Sequence, residues 1–269
     1  YLRKRFKGDF FMAGVRFWPE MSQLSPEFLA KAREFRQIVP VFTNVIFDTS
    51  QVHANLIFEH MFAWLDNTLE VAKANPDTLF VVRAHPDEER EGKASEESVA
   101  DWAESRGVES LPNVLFIPPH EFINSYDLIR MAKFVMIYNS TIGMEASILG
   151  ATVLSAGKAR YTASNVVHFP SNREAYDRTL QEFLKAENLS APQEHKINAR
   201  RFLYYQLYRS SLPFDAFLEQ DKYWKGYVML KDFDWQTLLP ENSLTVQTLL
   251  EGILSDGDFM LKEDANESR

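Results

Sequence analysis

Five short, mostly apolar runs alternate with helix-patterned segments between about residue 40 and residue 156, and this alternation restricts the fold more than any other feature of the chain. The runs are Val41–Phe47, Thr78–Arg83, Asn113–Ile117, Phe134–Tyr138 and Thr152–Ser155; between them lie Asn55–Ala74, Ser95–Gly107, Phe122–Met131 and Thr141–Leu149. Strands that alternate with helices through short connections build a parallel sheet. Runs apolar on both sides need helices above and below them. Asn75-Pro76, Gly107, Pro118-Pro119 and Gly150 punctuate the array as turn formers do. The expected fold class is α/β: a Rossmann-like, doubly wound parallel sheet with helices on both faces and a helical C-terminal extension.

Beyond Gly157 the strand signal ends, and Glu174–Ala186, Pro192–Ser210 and residues 243–255 read as helices. The second carries Phe202, Tyr205 and Tyr208, an aromatic stripe expected to pack in the core. A chain of 269 residues with 45% hydrophobic content can bury a sizeable core. We divide it into a helical lead-in (1–39), a Rossmann-like domain (40–215), and a C-terminal helical extension with a polar tail (216–269).

The net charge of −9 gives no sign of a general nucleic-acid or membrane-surface binder, but leaves room for a basic pocket around one anion. With no cysteine, disulfides, thiolate metal sites and thiol nucleophiles are all absent. No apolar stretch reaches the roughly 20 residues of a membrane span, and the start is too weakly apolar for a secretion signal. The expected location is the cytoplasm, with peripheral attachment to the inner membrane left open.

In an open parallel sheet, ligands bind beyond the carboxyl ends of the strands. The run ending at Val82 leads into Arg83-Ala84-His85-Pro86, a cation and a titratable donor suited to a phosphate. Pro86 biases His85 toward an extended backbone and narrows the direction its ring can take. A strand-end histidine closing a turn is the competing reading. After Tyr138, Asn139-Ser140-Thr141 fall at the first turn of a helix, where unpaired N–H groups and the helix dipole favour an anion. An ordinary N-cap would look similar, but no capping box follows Ser140, and Gly143 weakens the helix it occupies. Gly143 is expected to let a ligand approach closely. Glu145, one turn past Thr141, is placed to accept hydrogen bonds from a ribose diol, and a solvated surface glutamate is the alternative. Asn44, Thr49 and Ser50, with Asp48, follow the first strand and are candidates for the same ligand, although Asp-Thr-Ser is also a plain capping sequence.

No metal site is expected. Asp232-Phe233-Asp234 is a short match lying outside the strand–helix array, and the six histidines show no H-E-x-x-H spacing. Neither G-x-S-x-G, G-x-G-x-x-G nor a G-K-[ST] loop occurs.

His85-Pro86 after one strand and Tyr138-Asn139-Ser140-Thr141-Ile142-Gly143-Met144-Glu145-Ala146 after another resemble the C-terminal, nucleotide-binding half of two-domain glycosyltransferases of the GT-B fold. More narrowly, residues from about 40 to 210 resemble capsule polysaccharide synthesis proteins, which include transferases of Kdo (3-deoxy-manno-octulosonic acid) from CMP-Kdo. The resemblance implies that residues 40–215 bind a nucleotide sugar, CMP-linked, as substrate, with no further cofactor. It makes His85 the catalytic contact to the donor phosphate, with Arg83 beside it. Ser140 and Thr141 become a phosphate cradle, and Glu145 lies near the ribose. It also implies a metal-independent reaction, a polysaccharide or glycolipid acceptor, and a base on an opposing domain that activates the acceptor. Residues 1–39 are too few for that domain, so an N-terminal acceptor domain is expected outside this chain, which opens at Tyr1. CDP-glycerol-dependent phosphotransfer and a non-catalytic nucleotide-binding or assembly module are the alternatives.

Overall fold

Strands β1 (Gln37–Phe42), β2 (Thr78–Arg83), β3 (Val114–Ile117), β4 (Val135–Ile137) and β5 (Val153–Ser155) form one parallel sheet in the order β3-β2-β1-β4-β5. The structure, a computed structural model, describes residues 2–7, 23–46, 53–89, 97–121, 123–224 and 227–262. Central β1 is flanked by β2 and β4, with Val41 opposite both Val82 and Met136. The expected α/β class is observed.

β1 starts and ends earlier than expected, and it includes Pro40, a residue that normally argues against a central strand. The carbonyls of Ile38 and Phe42 accept N–H groups of Lys133 (2.9 Å) and Tyr138 (3.3 Å), so positions of that parity face β4. The missing N–H of Pro40 therefore points to where β4 is only beginning, and its ladder with β2 is uninterrupted. Gln37, buried at the strand's start, donates to Thr78 Oγ1 at 2.7 Å and to the Leu184 carbonyl at 3.2 Å.

Helices cover both faces. On one, Val39, Val41, Phe80, Val82, Met136 and Leu154 pack with residues of α3 (Met61–Ala74), α4 (Val99–Ser105) and α7 (Arg173–Lys185). Trp64 of α3 is fully buried and donates its indole N–H to the Tyr176 hydroxyl of α7 at 2.7 Å. Burying such a ring while keeping its polar end bonded contributes about 2–3 kcal/mol. On the other face lie α5 (Ser125–Met131) and α6 (Ile142–Leu149). The helices start later than the apolar pattern suggested, where side chains cap them. His60 Nδ1 accepts from Ala63 N–H at 3.1 Å ahead of α3, and Asn124 Oδ1 from Tyr126 N–H at 2.9 Å ahead of α5. Two short N-terminal helices, α1 (Leu2–Arg5) and α2 (Pro26–Ala32), complete this unit.

α8 (Gln193–Tyr204) carries the chain into a second compact unit, whose described residues begin at Arg200. It holds the expected C-terminal helix, α9 (Leu244–Leu254), and also an antiparallel pair, β6 (Leu218–Gln220) and β7 (Val228–Leu230), that the strand signal did not reveal. The aromatic stripe is not core: Tyr205 and Tyr208 are exposed in a π-helical turn, Tyr205–Arg209. No helix among the described residues is long and apolar enough to cross a membrane.

Candidate functional site

The strand order reverses between β1 and β4, and at such a switch point the connections diverge and leave a crevice beyond the carboxyl ends. Hydrogen bonds continue the sheet past its last ladder positions there. Thr43 donates both its N–H (3.2 Å) and its hydroxyl (3.1 Å) to the Arg83 carbonyl, tying β1 to β2. Asn44 Oδ1 accepts Asn139 N–H at 3.2 Å, tying β1 to β4. Two of the expected site residues, Asn44 and Asn139, are thus brought together, both buried. Thr49, Ser50 and Asp48 lie outside the described residues.

Ser140 and Thr141 stand at the junction of β4 and α6. The Ser140 carbonyl accepts Gly143 N–H at 3.1 Å and the Tyr161 hydroxyl. Thr141 is the exposed N-cap, and its side chain makes no capping bond. The N–H groups of Thr141 and Ile142 meet no acceptor among the described residues. A helix end in this state presents free donors and a partial positive charge.

His85 follows β2, the strand on the other side of β1. Its carbonyl accepts Glu88 N–H at 3.0 Å, closing a turn, and its Nδ1 accepts Asp87 N–H at 3.1 Å. A neutral ring that accepts at Nδ1 carries its proton on Nε2. β1 lies between β2 and β4, so His85 and the start of α6 follow strands on either side of β1 at the same carboxyl edge of the sheet.

Three expectations are corrected by the geometry. Arg83 does not emerge beside His85. It is only 6% exposed and turns beneath α5, donating to Ser125 Oγ and, at 3.1 Å, to the Ile123 carbonyl, while its Nε has no partner. Burial without a paired carboxylate pushes this guanidinium down to about 10. Gly143 does not open a path for a ligand: a Cβ there would stand 2.6 Å from the Tyr161 hydroxyl oxygen and closer still to Ile137 Cδ1. Glu145 does not face a ribose. It is 3% exposed, and its two oxygens are taken by Arg5 Nε of α1 and by the Tyr126 hydroxyl of α5 at 2.7 Å.

A family model described as capsule polysaccharide biosynthesis protein matches residues 20–208, well over half of the chain. The chain belongs to the capsule polysaccharide biosynthesis protein family. Within the curated proteins, Protein FixF of Sinorhizobium fredii is 28% identical to it over 113 residues, which make up 40% of this chain and 23% of FixF. Among solved structures, a β Kdo 2,4 transferase structure of KpsC from Thermosulfurimonas dismutans is 15% identical with a TM-score of 0.43, covering 74% of this chain and 51% of its own. A putative UDP-N-acetylglucosamine 2-epimerase from Listeria monocytogenes is 14% identical with a TM-score of 0.45, covering 72% and 50%. The chain spans about half the length of these two structures and less of FixF.

Two further groups of this capsule-family protein went unnoticed in its sequence. Glu88, just after His85-Pro86, is 2% exposed; one oxygen accepts Val99 N–H at 2.6 Å and the other has no partner. Burial, reinforced by Glu89 and Asp101 and opposed by the Val99 bond, raises its pKa from 4.5 to about 7. His168, edge-on to His195 with ring centroids 4.7 Å apart, is lowered by burial and by that neighbour from 6.5 to about 4. Their effects on stability oppose each other. Glu88 contributes stability that is present below pH 4.5 and lost as pH rises through about 7; His168 contributes stability present above 6.5 and lost as pH falls through about 4. Urea midpoints measured across this range are expected to be flatter in the wild type than in Glu88→Gln, where the rise toward pH 6.5 due to His168, and to His195, which burial also lowers, is no longer opposed by Glu88. An unchanged profile would show that Glu88 does not titrate in this window.

Among the described residues no three His, Asp or Glu side chains cluster as metal ligands. Asp234 caps a 3-10 turn by accepting Gln236 N–H at 3.0 Å.

Proposed function

We propose that this chain is the donor-binding half of a metal-independent, GT-B-type glycosyltransferase that moves a sugar, Kdo from CMP-Kdo, onto a growing surface or capsular polysaccharide. The observation that carries the reading is the uncapped start of α6 at the switch point, with Thr141 exposed and two N–H groups that meet no acceptor among the described residues. The N–H groups of Thr141 and Ile142, with the Ser140 and Thr141 hydroxyls, would receive the donor phosphate. His85 Nε2–H would stabilise the charge that grows on this phosphate as the glycosidic bond breaks. Asn44 and Asn139 hold the crevice in register. Deprotonation of the acceptor hydroxyl falls to a base on an acceptor domain outside this chain, and the reaction belongs in the cytoplasm, where nucleotide sugars are used.

Calorimetry with CMP, CDP, UDP and GDP tests the reading. CMP is expected to bind in the presence of EDTA, and His85→Ala is expected to weaken it roughly ten- to hundredfold, the value of a charge-assisted phosphate contact. Ser140→Ala should cost less, because the N–H groups and the helix dipole remain. Affinity unchanged in His85→Ala together with a lower melting temperature would make His85 a turn residue only. Preference for CDP-glycerol over a CMP-sugar would redirect the reading to glycerophosphotransfer.

A further inference from the structure

Glu88 is a costly choice for a helix cap. Val99 is the first residue of α4, and its N–H is one that the helix cannot satisfy itself. Ser98, the N-cap, serves Asp101 N–H at 3.0 Å instead, so Val99 depends on the Glu88 carboxylate. A surface side chain could do the same without burial. Here the carboxyl is enclosed, one oxygen lacks any partner, and among the described residues no Lys, Arg or His forms an ion pair with it. What this arrangement secures is the other end of the same residue. The Glu88 N–H closes the turn on the His85 carbonyl, and the turn in turn presents Asp87 N–H to His85 Nδ1.

We infer that Glu88 is a positioning residue for His85, fastening the His85–Glu88 turn to the start of α4 and so fixing which ring nitrogen carries the proton and where it stands. The inference rests on His85 as a donor-phosphate contact only for its consequence in binding; its effect on the ring itself is independent of any ligand. Pro86 limits the backbone before the turn, and the Glu88–Val99 bond anchors it after. Without that anchor the turn loses its tie to α4, and the Nε2–H tautomer loses the fixed Asp87 N–H that favours it.

Two readouts decide the matter. Imidazole nitrogen NMR, with the His85 signal identified from His85→Ala, should show one Nε2–H tautomer in the wild type and a mixture in Glu88→Ala. Glu88→Gln, which keeps an acceptor for Val99 N–H, should restore the single tautomer. Val99→Pro removes the donor from the opposite side at a helix position that tolerates proline, and should reproduce the Glu88→Ala mixture even if that variant folds poorly. In calorimetry with CMP, Glu88→Ala should weaken binding about tenfold, but add no more than about twofold in the His85→Ala background, because both act through one contact. A wild-type tautomer and wild-type CMP affinity in both Glu88→Ala and Val99→Pro would overturn the inference. Unchanged CMP affinity in His85→Ala, with a tautomer mixture in Glu88→Ala, would uphold the positioning role and reject the phosphate contact.

Discussion

Glu145→Ala is expected to lose about 3–5 kcal/mol of stability, the range for breaking a buried ion pair from one side. The carboxylate joins three helices: α6 carries it, α1 brings Arg5, and α5 brings the Tyr126 hydroxyl. Removing it takes a carboxylate away from a guanidinium and a hydroxyl in a site where Phe6 packs edge-on against Tyr126, with ring centroids 5.0 Å apart. For a chain of this size the loss corresponds to roughly 10 °C in melting temperature, readily seen by calorimetry or circular dichroism. Glu145→Gln, which keeps one acceptor, should lose less. Neither should change CMP affinity by more than about twofold at temperatures where the protein is folded. A normal melting temperature combined with weakened CMP binding would return Glu145 to the ribose.

The second large effect is expected at Gly143, where valine should destabilise by about 3 kcal/mol or more, at or beyond the upper end of overpacking costs. The obstacle is not a flexible surface chain. Ile137 belongs to β4 inside the sheet, and the Tyr161 hydroxyl donates to the Ser140 carbonyl, so displacing either one disturbs the β4–α6 junction. Even alanine, which a helix interior prefers to glycine by about 1 kcal/mol, should be unfavourable here. Ile137→Val removes the atom that an added Cβ would meet most closely, and combined with Gly143→Ala it should cost less than the sum of the two changes. Strict additivity would mean that the glycine is required for another reason.

These two residues also mark how far the sequence could be read. The sheet was legible because buried parallel strands are apolar throughout: β2 runs from Thr78 to Arg83, as its composition indicates. Ser140 and Thr141 were legible as a strand-to-helix junction, because such a junction is local in the chain. Glu145 was placed correctly on a helix one turn past Thr141, but helical spacing says nothing about which side faces inward. Its principal partner, Arg5, is 140 positions away. The sequence shows at Gly143 only that a side chain is missing, and the space is filled by Ile137 and Tyr161. Arg83 was misread for a related reason: its direction depends on Ser125 and Ile123, which the fold supplies from beyond β3. Glu88 matches no motif, and only burial distinguishes it.

The four described indoles offer an optical division of labour. Among the described residues, Trp64 and Trp102 are buried in the first unit, whereas Trp224 and Trp235 are 70% and 66% exposed in the second. Buried indoles emit at shorter wavelength and are shielded from aqueous quenchers, so iodide can silence the second unit's emission while the first unit's remains. With that emission isolated, a red shift during denaturation reports the loss of the Trp64–Tyr176 core and the parallel sheet beside it, without labelling the chain.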